Sequence, residues 1–197
     1  MEAVDETLKA KRPPFEVIYD WVTTVDHKKI GIMYIAYALV FLVVGGVEAI
    51  LMRIQLAVPN NHFVSPEVFN QLFTMHGTTM IFFMAMPMVF GFGNYLVPLM
   101  IGARDMAFPR MNAFSFWVSA FGGLLLYFSY FGASGLYGAG SAPDVGWFAY
   151  APLTAKVFSP GHSTDYGTRA VLRCGMGSIG TAVNIITTMI CMRCRGM

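Results

Sequence analysis

Charge is what this sequence has least of. Lys, Arg, Asp and Glu make up 12% of its 197 residues, about half the share of an ordinary soluble domain. The net charge of +2 is too small for a protein that binds nucleic acid by neutralising phosphates. Cysteine is scarce too. Cys174, Cys191 and Cys194 are an odd number, and the C-x-x-C at 191–194 has no second pair. That argues against a disulfide framework or a zinc ribbon and for free thiols. Only four histidines occur, His27, His62, His76 and His162. The first 28 residues are polar and lack the short apolar core and small-residue cleavage site of a secretory leader. No low-complexity tract, short internal repeat or soluble domain is visible.

What fills the space is apolar. Hydrophobic residues make up 56% of the chain and aromatics 15%. Several runs approach 20 residues, the length a helix needs to cross a bilayer. The sequence therefore predicts an all-α, polytopic membrane bundle. A polar arm at 1–29 precedes four spans at about 30–52, 71–102, 113–132 and 168–192. In the arm, Pro13-Pro14 blocks a continuous helix, and the following FEVIYDWV, with Tyr19 and Trp21, suits an interfacial helix. Gly45-Gly46 offers a close-packing face. Ser65-Pro66-Glu67 reads as a helix cap and first turn. Pro87, mid-span, should kink the second span and free a carbonyl that needs another partner. The Gly-rich loop at 133–165 is too long for a plain connector and expected to be an ordered cap, with Trp147, Phe148 and Tyr150. Lys9, Lys11, Arg12, Lys28, Lys29, Arg104, Arg110, Arg193 and Arg195 fall in the arm, the second loop and the tail. By the positive-inside rule that end, with both termini, faces the cytoplasm of a bacterial-type inner membrane.

The second span organises the rest. Gln71 to Gly102 carries no formal charge and one imidazole, His76. A histidine inside a span is a functional suspect, because polar groups are costly in hydrocarbon. It either ligates a metal or cofactor or bonds a neighbouring carbonyl. Gly77 beside it leaves room for a flat ring, and the Met and Phe residues around it suit a haem, whose iron takes axial imidazole. Asp105, just past the opposite end of the span, is either a solvated loop charge or the mouth of an intramembrane proton relay.

The stretches VDHKKIGIMY, EAILMRIQL, FTMHGTTMIFFMAMP, GNYLVPLMIGARDMAFPRMN, GWFAYAPL and IGTAVNIITT resemble subunit I of the A-type haem–copper terminal oxidases, the group that includes cytochrome c oxidase, over nearly the whole chain. The resemblance implies an oxidoreductase and proton pump of the respiratory chain that passes electrons from cytochrome c through a low-spin haem to oxygen. His76 matches one of the two axial ligands of that haem, expected to be haem A. Arg53 matches the arginine that bonds a ring substituent of the haem, and Trp147 and Tyr150 match residues near its propionates. Asp105 matches the mouth of the D proton pathway, Asn94, Asn112 and Ser115 its entrance cluster, and Tyr34, Ser178 and Asn184 polar positions further along. Subunits II and III and membrane lipid are the implied partners. Ubiquinol-type members carry an Arg, an Asp, a His and a Gln where this chain has Val44, Glu48, Val68 and Gln71, so cytochrome c is favoured as donor over quinol. A non-catalytic four-span haem-binding module and a cofactor-free bundle are the rival classes.

The chain departs from the family in two respects. Members have about twelve spans, and the second low-spin ligand, the high-spin haem ligand and the copper B histidines lie further along than residue 197. The expectation is therefore a truncated subunit, without a complete catalytic centre and inactive alone, whose missing C-terminal part is itself a partner. The fourth span opens with DYGTRAVLRCGMG, where the family reads DYW and then apolar residues. A shift of reading frame that later corrects itself would turn ALFSGAG into AVLRCG, and it predicts apolar residues at 169 and 173 in the source gene in place of Arg169 and Arg173.

Overall fold

The computed structural model describes residues 13–132 and 142–196. Every regular element among them is helical: α1 (Pro14–Val22), α2 (His27–Gln55), α3 (Pro66–Thr78), a π-helical stretch (Thr79–Ala85), α4 (Met86–Met100), α5 (Pro109–Gly132) and α6 (Ser163–Cys191). Four helices are long and apolar enough to cross a membrane: α2, the continuous run Pro66–Met100, Pro109–Phe131 within α5, and α6. The starts follow local chemistry. The Asp26 carboxylate accepts from the Lys28 N–H at 2.8 Å and caps α2. Ser65 does the same for α3 through the Val68 N–H at 3.3 Å, with Pro66 in the first turn, where a missing N–H costs nothing. Pro109 opens α5.

Each span begins earlier than hydropathy indicated, because polar capping turns are helical without being apolar. The largest consequence falls on His27. The sequence put it in a polar arm, yet it is the first residue of α2 and only 2% exposed. The helix expected within the arm is α1, whose Phe15, Ile18, Tyr19 and Val22 share one helical face and are all exposed. Lys9, Lys11 and Arg12 lie outside the described residues, as does 133–141 of the long loop.

The bundle buries polar groups beside apolar ones such as Ile30, Phe83 and Leu126, and turns many large apolar side chains outward. Tyr34, Asn94, Asn112, Ser115, Thr181 and Asn184 are fully buried, while Val43, Val89, Leu124, Phe131 and Ile179 are largely exposed, the pattern of a helix bundle whose outer solvent is hydrocarbon. Glycines set two close crossings. A Cβ on Gly31 of α2 would stand 2.9 Å from the Gly91 carbonyl oxygen of α4, and one on Gly91 would stand 3.0 Å from that of Gly31. On the other side, a Cβ on Gly122 of α5 would stand 2.9 Å from the Ala170 carbonyl oxygen of α6. Contacts across the helix ends define one basic end. The Cys194 N–H donates to the Ile101 carbonyl at 3.1 Å, the Ala107 N–H to Thr188 Oγ1 at 2.9 Å, and His27 Nδ1 lies 2.9 Å from the Asn94 carbonyl oxygen. Lys28, Lys29, Arg104, Arg110, Arg193 and Arg195 gather at this end.

Pro87 acts through the π stretch. The Met86 N–H bonds the Ile81 carbonyl, five residues back. In that register the next acceptor, the Phe82 carbonyl, would need the N–H of residue 87, which proline lacks. The Cys174 thiol of α6 donates to this carbonyl instead, at 3.0 Å. The freed carbonyl expected from the sequence is thus real, and a residue read as a bland thiol is its partner.

Candidate functional site

His76 sits on the last turn of α3, half-buried, with Nδ1 2.9 Å from the Gly45 carbonyl oxygen of α2. A carbonyl only accepts, so Nδ1 carries the proton, which in the neutral imidazole leaves Nε2 its lone pair. This is the arrangement of a metal-bound histidine, whose second nitrogen donates to a carbonyl or carboxylate that fixes ring and tautomer. On that ground the residue fits an axial haem ligand. The two readings left open by the sequence, a carbonyl bond and a ligand, turn out to be compatible. Gly77 does admit a flat ring, but the ring it meets is the indole of Trp147: a Cβ on Gly77 would stand 2.8 Å from Trp147 Cδ1. The Gly146 N–H donates to Thr74 Oγ1 at 2.8 Å, so Thr74 and Gly77 pin the loop carrying Trp147 beside His76. Gly146 turns this loop with φ +76°, a conformation natural only to glycine.

The other expected haem neighbours are less closely gathered. Arg53 is exposed near the end of α2, eight residues or about 12 Å along the helix from Gly45. Tyr150 is 68% exposed, and its ring stacks on Phe148 with centroids 4.8 Å apart. Among the described residues no cluster of three or more His, Cys, Asp or Glu could hold a metal ion. Cys191 and Cys194 are exposed and form no disulfide among the described residues.

A network that the sequence did not suggest stands next to His76. Tyr127 of α5 donates to Glu48 Oε1 of α2 at 3.0 Å, and its hydroxyl lies 2.7 Å from Thr79 Oγ1, the first residue of the π stretch. Glu48 is 6% exposed, and its Oε2 is buried without a partner among the described residues.

At the basic end the polar residues are differently placed. Asn94 of α4, and Asn112, Ser115 and Ser119 of α5, are at most 2% exposed. The amide oxygen and nitrogen of both asparagines and both serine hydroxyls lack a protein partner among the described residues. These six atoms lie on residues enclosed by α2, α4, α5 and α6. A Cβ on Gly180 of α6 would run into Ser115 Oγ, and one on Gly177 into Ser119 Oγ, so α6 glycines leave the space in which these hydroxyls stand. Buried polar atoms without protein partners are the usual seats of ordered water. Tyr34 continues the file, its hydroxyl 3.3 Å from Thr181 Oγ1.

The remaining expected path residues differ from this file. Asn184 is a clamp: its Oδ1 accepts from the Phe108 N–H at 2.8 Å and its Nδ2 donates to the Phe108 carbonyl at 3.1 Å. With Thr188 on Ala107 it holds the loop that presents Asp105. Ser178 bonds its own helix at Cys174, 2.7 Å away. Asp105 is half-buried, and its Oδ1 accepts from the Met106 N–H at 2.7 Å. Ser119, Thr181 and His27 are the members sequence reasoning missed. Ser119 was accessible to it, lying one turn beyond Ser115 on the same face of α5.

Fold and site together define a multi-pass helical membrane protein with a part-buried, carbonyl-bonded imidazole toward one end and buried, unpartnered polar groups toward the other. The family model "Cytochrome C and Quinol oxidase polypeptide I" matches residues 29–197, and the chain belongs to this family of haem–copper oxidase subunits I. It is 46% identical over 176 residues to cytochrome c oxidase subunit 1 of Corynebacterium efficiens, covering 89% of this chain and 29% of that one. With cytochrome c oxidase subunit 1 of Bacillus subtilis it shares 45% over 190 residues, 96% of this chain and 29% of that one. Quinol oxidase subunit 1 of the same organism is 45% identical over 178 residues, 90% and 26% of the respective lengths. The chain thus spans less than a third of the length of these relatives. For the family, membership implies haem and copper as cofactors in general and respiratory electron transport as the setting.

Proposed function

We propose that this chain is the part of a proton-pumping cytochrome c oxidase subunit I that holds one axial ligand of the low-spin haem and the entrance of the D proton pathway. The observation that carries this reading is the file of six unpartnered buried atoms on Asn94, Asn112, Ser115 and Ser119, at the basic end where the loop carrying Asp105 is clamped. Amides and hydroxyls both donate and accept, so they order a chain of waters along which protons pass. Asp105 gathers protons at the mouth, and Tyr34 and Thr181 extend the file. With the basic end cytoplasmic, uptake is from the cytoplasm. Moving each charge against the potential costs about 2.3 kcal/mol per 100 mV, supplied by oxygen reduction in the intact protein.

His76 would hold the haem through Nε2, with the Gly45 carbonyl fixing its ring. Trp147, packed against Gly77, would border the adjacent face, and Arg53 and Tyr150 would complete the surroundings once the rest of the subunit is in place. The haem, haem A in this reading, supplies the one-electron relay; the high-spin haem, copper B and subunits II and III belong to the intact assembly. Cytochrome c is the donor. In the quinol-type pattern the acid aligned with Glu48 serves a quinol, whereas here that carboxyl is buried and bonded to Tyr127, and Val44 and Val68 replace the Arg and the His.

The test is Asp105→Asn in the full-length subunit, assembled with its partners in vesicles. Oxygen-driven proton uptake should fall by about tenfold or more with the low-spin haem spectrum unchanged. Uptake at the parent rate would overturn the assignment of the pathway. Residues 1–197 alone should bind haem weakly and consume no oxygen.

A further inference from the structure

The turn that carries His76 runs directly into the π stretch, an element that is rare and of poor intrinsic stability. Proline at 87 explains why an α-helical register is interrupted near it, but not what holds the alternative register in place. Two side chains from other helices bond to it, one at its first residue and one at its fourth. At the first residue, Thr79 Oγ1 meets the Tyr127 hydroxyl at 2.7 Å, and Tyr127 in turn donates to Glu48 at 3.0 Å. At the fourth, the Cys174 thiol takes the Phe82 carbonyl that Pro87 leaves bare.

The same faces carry His76. Thr79 lies three residues after His76, and Glu48 three after Gly45, whose carbonyl holds the imidazole at 2.9 Å. Residues three apart share a helix face. Two neighbouring rungs therefore join α2 to the second span: Gly45 to His76, and Glu48 through Tyr127 to Thr79. A Cβ on Gly45 would stand 2.8 Å from Met80 Sδ and 3.4 Å from Thr79 Cγ2, so the α2 backbone is pressed against the first turn of the π stretch at the level of the imidazole. A carboxyl buried in a bilayer with one oxygen unpartnered is costly. A fixed hydrogen-bond geometry that an apolar residue could not supply accounts for its presence.

We propose that Glu48 is a positioning residue for His76: through Tyr127 and Thr79 it locks the π register, and the locked register sets the orientation of the imidazole. This rests on the reading of His76 as a haem ligand. It concerns the orientation of the ligand, not its identity.

The test compares apolar variants with a conservative one by two readouts. Glu48→Leu removes the bond, and Glu48→Gln keeps an acceptor. Tyr127→Phe is the second route to the first rung, should Glu48→Leu not fold. The first readout is amide hydrogen exchange of residues 80–86 in this chain in lipid nanodiscs. It should quicken by about tenfold in the apolar variants and stay at the parent rate in the conservative one. The second is the electron paramagnetic resonance signal of the oxidised low-spin haem in the full-length subunit, which reports the planes of its axial imidazoles. It should shift in Glu48→Leu and Tyr127→Phe and be rescued in Glu48→Gln. Unchanged exchange in the apolar variants, or faster exchange with an unmoved signal, would overturn the proposal. A parent protein whose low-spin signal survives His76→Ala would remove the ligand reading, and the proposal with it, and the exchange data would show separately whether the register lock exists.

Discussion

The two ends of the bundle handle buried polar groups in opposite ways. Around His76 they bond to each other: His76 to Gly45, Thr79 to Tyr127 to Glu48, Thr74 to Gly146, Cys174 to Phe82. At the basic end Asn94, Asn112, Ser115 and Ser119 are just as deeply buried, yet six of their polar atoms have no protein partner among the described residues. Protein-to-protein bonds fix positions, which a ligand that must hold a cofactor requires. Groups left open to water fix little, but they can pass hydrogen bonds along. The contrast is not complete, since Glu48 Oε2 and Thr164 Oγ1 also lack protein partners among the described residues. It nevertheless shows one membrane bundle using amide and hydroxyl side chains as both fasteners and conduit.

The strongest way to break the comparison is at the fastened end. His76→Ala in the full-length subunit should abolish the low-spin haem signal in the optical spectrum, because Gly45 can hold no other ligand there. A retained signal would move the cofactor elsewhere. Next comes Arg173, whose level in the bundle is set by Gly122 near the middle of α5: a Cβ on Gly122 would stand 3.2 Å from Arg173 Cβ. Its guanidinium donates to the Arg169 carbonyl at 3.2 Å and lines a groove with Phe121, Leu124, Leu125 and Phe128, with no carboxylate partner among the described residues. A charge at mid-bilayer costs about 2.5–3.5 kcal/mol on insertion scales. Arg173→Leu should therefore stabilise the chain by about 2 kcal/mol in a detergent or steric-trap unfolding assay, and an unchanged or lower stability would mean that Arg173 has found a counter-charge. The smallest effect sharpens the frame that holds both ends in register. Gly91→Ala places a methyl against the Gly31 carbonyl and Ile35 and should cost about 1–3 kcal/mol by overpacking, measured in the same assay.

How much of this was legible in the sequence follows from what hydropathy and motif can encode. The four spans, the Ser65 cap and the Pro87 disturbance were readable because each rests on local composition. His27 was not: its neighbours Asp26, Lys28 and Lys29 are charged, and only tertiary contact with the Asn94 carbonyl shows that it is buried. The π stretch was invisible too, since one extra residue per turn leaves an apolar run apolar. Cys174 and Glu48 looked like bland or donor-related residues because their partners, Phe82 and Tyr127, lie 92 and 79 positions away. Asn94 and Asn112 were singled out through resemblance. The sequence could not separate them from Asn184, because whether an amide faces water or clamps a backbone depends on which helix it meets.

The measurement that bears most directly on the account is Asn112→Leu in the full-length subunit. If Asn112 stands in a water file, replacing unpartnered polar atoms by an apolar side chain of similar size should leave folding stability unchanged or raise it by about 1 kcal/mol. Oxygen-driven proton uptake should at the same time fall by about tenfold or more, with the low-spin haem spectrum intact. A variant that is destabilised yet takes up protons at the parent rate would show Asn112 to be a fastener, and the contrast between the two ends would be wrong.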